Sequence, residues 1–276
     1  MELRYKLFSR DTIPVMDTSR TGACIVFFAL ICAACGGRAG STSSNATNPI
    51  LLFNGAGISP NDVAAVETIL KSNRLRYSTV NSSRLNQMTE AQIGSHRLLI
   101  VPGGNFIDIG NSLTSATTFN IRNAVSNGMN YLGICAGGFL AGNSGYNGLN
   151  LTSGIRFGFY SAINRGIRKA AVPIAIAGAP TLDQYWEDGP EFTGWGAVVG
   201  TYPDRTPAIV EGTFGRGWII LTGFHPEAPA SWRRDMTFKT PVADDNSYAR
   251  KLIHAALNRT PLAASALPST EAPPVR

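Results

Sequence analysis

Between residues 49 and 134 short apolar runs alternate with segments whose apolar positions recur at helical spacing. Pro49-Ile50-Leu51-Leu52-Phe53 has the unbroken apolar pattern of a strand buried on both faces, and it stops at Asn54-Gly55-Ala56-Gly57. Ser59 and Pro60 then suit the cap and first position of a helix with the stripe Val63, Val66, Ile69 and Leu70. Tyr77 to Val80 predicts a second strand, Thr89 the start of a brief helix, and Arg97 to Val101 a buried strand ending in the sharp turn Pro102-Gly103-Gly104. Ser115 to Asn127 reads as a helix closed by Gly128, and Tyr131 to Ile134 re-enters the sheet. This alternation predicts an α/β fold: a doubly wound, mostly parallel sheet flanked by helices, with its site at the carboxyl ends of the strands.

The second half has another texture. Val172 to Ala177, Trp195 to Val199, Ala208 to Val210 and Trp218 to Leu221 are short runs separated by Gly and Pro, which suits hairpins and predicts antiparallel strands extending the sheet. The acids and aromatics from Tyr185 to Phe192, with Trp195, fall in what this pattern makes a loop region. Ser247 to Leu257 predicts a closing helix, and the Pro-, Ala- and Ser-rich stretch 261–276 a disordered tail. The folded body is therefore expected to span 49–260.

Ahead of that body, Ala23 to Cys35 is an uncharged apolar run flanked by Arg20 and Arg38, too short for a spanning helix and closed by small residues. This is the pattern of an export signal over 1–35, followed by a polar tether over 36–48. Leu30-Ile31-Cys32-Ala33-Ala34-Cys35 resembles a bacterial lipoprotein signal, which would make Cys35 the lipidated residue and place the protein in the cell envelope on a lipid anchor. Cys32 departs from that pattern, so cleavage near Ala39 by ordinary signal peptidase stays open, as does a start at Met16. A buried N-terminal helix is the alternative for this run, but it shows no amphipathic period.

Composition narrows the function classes. Hydrophobic residues make up 44% of the 276 and charged residues 15%, enough for a core and too few charges for general disorder. The net charge of +6 is scattered, with no basic run to grip a phosphate backbone, so nucleic acid is not an expected partner. Of the four cysteines only Cys135 lies in the body, which excludes a disulfide framework there. Neither Cys32 nor Cys35 has companion ligands at metal spacing, and no metal or cofactor is expected.

The body's chemistry centres on Gly133-Ile134-Cys135-Ala136-Gly137-Gly138, a nucleophile flanked by glycines between a strand and a small-residue helix. Such a turn strains the backbone at the nucleophile, and the glycines are needed where a Cβ would clash. A buried packing cysteine is the alternative. An unperturbed thiol ionises near pH ~8.5, so a nucleophilic role requires a base. Of three histidines, His96 precedes a strand and His254 lies in the last helix. His225 stands at a strand terminus, with Glu227 two residues on to accept its second proton.

Gly133-x-Cys135-x-Gly137 with His225-Pro226-Glu227 resembles the class I glutamine amidotransferase-like superfamily. With Leu52 to Ser59, Val101-Pro102-Gly103-Gly104 and Gly223-Phe224, the motifs are most similar to the amidotransferase-like domain at the N-terminus of biotin-protein ligases. The resemblance implies Cys135, His225 and Glu227 as a catalytic triad, and an oxyanion hole at Ala136 with Gly103 and Gly104, although that glycine pair alone reads as a tight turn. Asn54, Tyr185, Trp186 and Trp195 are candidate substrate contacts; aromatic and acidic loops are also ordinary surface cover.

Departures limit what the resemblance implies. Glutamine-hydrolysing members carry a Gln soon after the nucleophile, whereas here Gly137-Gly138-Phe139-Leu140 stands there. The intracellular-protease branch has His directly after the nucleophile, where this chain has Ala136. No phosphate loop of the G-x-x-x-x-G-K-[ST] kind occurs, and no ligase activity is expected. The expectation is a thiol-dependent hydrolase of an amide or related C–N bond in a small molecule or peptide. The alternative is a non-catalytic envelope module that binds a small molecule or partner on the same fold.

Overall fold

The computed structural model describes residues 48–262. The expected signal, the tether as far as Thr47, the lipidation site Cys35 and all of the tail beyond Leu262 lie outside them, while the tether's last residue, Asn48, bonds to Tyr77 and Ser78. Leu262 itself is held, its backbone N–H donating to the Glu211 carboxylate at 2.9 Å, so the tail expected from residue 261 begins with anchored chain. Among the described residues no helix is long and apolar enough to cross a membrane.

Among the described residues nine strands form the sheet: β1 (Ile50–Phe53), β2 (Tyr77–Val80), β3 (Leu98–Val101), β4 (Asn130–Ile134), β5 (Lys169–Ile176), β6 (Leu182–Glu187), β7 (Ala197–Thr201), β8 (Pro207–Phe214) and β9 (Gly217–Thr222). The helices are α1 (Pro60–Ser72), α2 (Ser82–Leu85), α3 (Glu90–Gly94), α4 (Phe106–Ser112), α5 (Ser115–Ser126), α6 (Ala136–Ala141) and α7 (Val242–Asn258). The strand order is β2-β1-β3-β4-β9-β8-β7-β5-β6. The first five are parallel neighbours and the rest pair antiparallel.

Local chemistry explains most boundaries. Ser59 caps α1 by accepting from Asp62 N–H with Pro60 at the first position, and Thr89 with Gln92 makes a full capping box on α3. One sheet face packs residues such as Leu52, Ile100 and Leu132 against α1 and α7. The other packs Leu51, Leu99 and Tyr131 against α3, α5 and α6. Residues alternate between these two cores along β1, β3 and β4 because side chains project to opposite faces in turn.

The structure departs from the sequence expectations in two ways that bear on the site. β9, expected in an antiparallel extension, pairs in parallel with β4 in register Tyr131↔Ile219 to Ile134↔Thr222 and belongs to the central sheet; its hairpin with β8 begins the antiparallel half. Leu182 to Glu187 is a strand rather than loop. Its polar positions are buried against tertiary partners: Asp183 accepts from Lys239 N–H, and the Gln184 amide donates to Asp245.

Glycines let α6 approach the sheet. A Cβ on Gly137 would lie 2.0 Å from the Val101 carbonyl oxygen, and one on Gly133 2.6 Å from that of Gly137. A Cβ on Gly94 would make only ordinary contact with Ala124 at 3.7 Å. Gly137→Ala is therefore expected to lose roughly 2–4 kcal/mol in urea unfolding, and Gly94→Ala to be neutral or slightly stabilising. Equal effects of the two would contradict this packing.

Candidate active site

Cys135 is the hinge between β4 and α6. Its backbone, at φ 48° and ψ −104°, lies outside the regions that non-glycine residues ordinarily occupy. The surroundings fix that strain: Cys135 N–H donates to Thr222 O at 2.8 Å, and Cys135 O accepts from Gly138 and Phe139 N–H. The side chain is buried, and its Sγ donates to the Glu187 carbonyl at 3.5 Å.

Thr222 ends β9, and three residues later His225 is pinned by its own backbone, N–H to Tyr185 O at 2.8 Å. The imidazole is buried beside Tyr185 and Trp232, with ring centroids 5.7 and 5.8 Å away. Its Nδ1 donates to Glu227 Oε1 at 3.0 Å, which leaves Nε2 free of that carboxylate. Cys135 and His225 line one cavity of about 510 Å³, together with Gly104, Ala136 and a wall of Phe106, Phe139 and Phe159.

A second acid completes the cluster. Asp62 Oδ1 lies 2.9 Å from the same His225 Nδ1, whose aligned N–H points to Glu227, so Asp62 acts on the ring chiefly through its charge. Asp62 occupies the first turn of α1 and is buried. Sequence reading missed it because Ser59-x-x-Asp62 has the form of an exposed helix cap.

Burial and charge compete here. Burial alone pulls the His225 pKa down, but its electrostatic coupling to Cys135, Asp62 and Glu227 outweighs that and holds the imidazole well above its usual 6.5. Burial pushes Asp62 up, and its interaction with His225 overcomes that to leave it lowered. Buried Glu227 stays raised despite the imidazole, with Asp62 adding to the rise. The two acids are thereby driven apart, a distribution typical of acid–base sites. Among the described residues Asp62, His225 and Glu227 also form a set of donor atoms, all within 4.8 Å of one another, that could hold a divalent cation.

The expected oxyanion groups are close by. Gly104 and Ala136 line the cavity with Cys135. Gly103 abuts the imidazole: a Cβ there would lie 2.2 Å from Asp62 Oδ1 and 2.5 Å from His225 Cε1. The expected substrate contacts scatter. Tyr185 lines an adjoining cavity that shares His225, and its hydroxyl donates to Glu187. Alternation along β6 turns Trp186 away from Tyr185's side and into the core that contains Leu52 and Leu132, where it is fully buried against Tyr160. Trp195 packs against the other core and Gly212, and Asn54 is exposed at the end of β1; none of these three lines either cavity. The phenylalanine wall went unrecognised because it is assembled from three separate segments.

Residues 48–168 match the family described as biotin-protein ligase, N terminal, the family that the motifs resemble. The match takes in Cys135 and the Gly103-Gly104 turn and ends ahead of His225. A protein described as a GMP synthase subunit from Thermoplasma acidophilum has a similar fold, at 12% identity over 76% of this chain and 95% of that one, with a TM-score of 0.50. A cytoplasmic protein of Salmonella typhimurium LT2 aligns at 11% identity over 75% and 99% of the two chains, with a TM-score of 0.45. A β-galactosidase of Halorubrum lacusprofundi aligns at 14% identity over 77% of this chain, which spans only 31% of that enzyme, with a TM-score of 0.45. A search of the curated proteins finds no match.

The raised imidazole sets a pH signature. A group that binds its proton more tightly folded than unfolded stabilises the fold fully below its unfolded pKa, near ~6.5, and loses that contribution as pH rises through its folded pKa. Wild type is expected to exceed His225→Gln in stability most below about pH 6, with the gap closing on the alkaline side. An NMR titration of the His225 ring should give a midpoint well above 6.5 that falls by about one pH unit or more in each of Asp62→Asn and Glu227→Gln. A midpoint unmoved by Asp62→Asn would exclude the second acid.

Proposed function

We propose that this chain is a thiol-dependent hydrolase of an amide or related C–N bond, built on the class I glutamine amidotransferase-like fold. One observation carries the reading: a cysteine strained at a strand-to-helix turn shares a cavity with a buried imidazole whose Nδ1 faces two carboxylates. Strain of this kind persists where function uses it.

In the proposed reaction the Cys135 proton resides on the imidazole as a thiolate–imidazolium pair, and the thiolate attacks the substrate carbonyl. The oxygen that becomes negative is met by backbone N–H groups at Ala136 and the Gly103-Gly104 turn, where the missing side chains permit close approach. Collapse of the adduct breaks the C–N bond, and His225 returns the proton to the departing amine. Water then releases the acyl group from sulfur with His225 as base. Glu227 fixes the tautomer through its Nδ1 bond, and Asp62 adds charge that favours imidazolium. The apolar run at 23–35 supports export of this activity to the cell envelope.

Site-resolved measurement of iodoacetamide labelling at mildly acidic pH distinguishes the hydrolase from a binding module. His225→Ala should slow reaction at Cys135 about tenfold or more, and Cys135→Ala should abolish ammonia release across a panel of small amides. Equal labelling in wild type and His225→Ala, with no amide consumed, would favour the binding module.

A further inference from the structure

The walls of the Cys135 cavity differ in chemistry from those of its neighbour. Phe106, Phe139 and Phe159 form a triangle with ring centroids 4.6, 4.8 and 6.3 Å apart, and Phe139 sits one helical turn beyond the nucleophile. Phe159 remains 42% exposed, so this face accepts a further ring. It pairs with Pro190, two residues after Asp188, which makes the aromatic wall continuous with an acidic one formed by Glu187 and Asp188. Asp188 Oδ2 lies 3.3 Å from Arg168, while its buried Oδ1 has no hydrogen-bond partner. Among the described residues lining this cavity there is no Lys or Arg; Lys169 and Arg234 line the adjoining cavity, which lacks Cys135.

An acyl group must lie in the cavity that holds both the sulfur and the Gly104–Ala136 backbone, so its walls select it. Glutamine would bring a free carboxylate into a space whose far wall offers Glu187 and Asp188 and no Lys or Arg, the one imidazole, His225, being already engaged by Glu227 and Asp62. We propose, resting on the hydrolase reading, that the acyl half of the substrate is an aromatic aminoacyl group: its ring stacks on the phenylalanine triangle and its ammonium faces Glu187 and Asp188. Offset and edge-on ring contacts supply the affinity, and the acidic wall excludes anionic acyl chains.

Protection of Cys135 from iodoacetamide in the full chain, read at that residue by mass spectrometry, tests the subsite without requiring turnover. Phenylalaninamide should protect at a concentration about tenfold or more below glutamine, with hydrocinnamamide, which lacks the ammonium, between them. Phe159→Ala should raise the protecting concentration of phenylalaninamide about tenfold and leave that of glutamine unchanged, with Phe159→Leu intermediate. Protection by glutamine at equal concentration, no protection by phenylalaninamide, or indifference to Phe159→Ala would overturn the proposal. Ammonia release from phenylalaninamide, measured beside Cys135→Ala, reports separately on hydrolysis: protection without release leaves the subsite standing and removes the hydrolase reading.

Discussion

The site depends on one backbone pairing. β4 and β9 are far apart in the chain, yet they lie side by side and parallel, with Ile134 opposite Thr222. Both strands leave the sheet at the same edge, and the hydrogen bond from Cys135 N–H to Thr222 O joins the two exits. A one-residue slip in that pairing would turn side chains to the opposite faces and separate the sulfur from the imidazole. The close packing of α6 on β3 and β4, with glycine where any Cβ would collide with a carbonyl, is the second half of the same constraint. It fixes the direction in which Cys135 leaves the strand.

Burial gives the cluster its electrostatic character. An isolated ionised group at this depth would be costly, and the arrangement offsets that cost by placing a cation between two acids. Glu227 comes from the segment after β9 and Asp62 from the first turn of α1, so the imidazole is held from two directions. Gly103 admits them, since any side chain there would overlap both Asp62 and His225. The fold thus invests a turn, a helix start and a strand end in the protonation state of one ring.

Sequence periodicity was a good guide where local chemistry and burial agree. β2 falls on the expected Tyr77 to Val80, and α1 starts at the Pro60 that its Ser59 cap suggests. That Cys135 and His225 come to one cavity was legible because the glycines around Cys135 and the short His225-Pro226-Glu227 segment are local signals. What failed depends on partners remote in sequence. Tyr185 to Glu187 read as loop, yet they complete β6, whose buried Asp183 and Gln184 bond to Lys239 and Asp245. Trp186 is an aromatic in an acidic stretch by sequence and a fully buried core residue in the fold. Asp62 and the three phenylalanines become a site only once the chain has folded, because their grouping is set by topology and not by spacing.

The central claim is that Cys135 and His225 meet as a reactive pair, and a short bifunctional electrophile tests it most directly. 1,3-Dibromoacetone offers a three-carbon bridge, and each bromide is displaced by one nucleophile. Peptide mapping after treatment of the native protein should recover the Cys135 and His225 peptides joined through sulfur and Nε2, with Asp62 and Glu227 occupying the Nδ1 side. Addition at Cys135 alone, with His225 recovered unmodified, would contradict the account and leave the fold without its proposed chemistry.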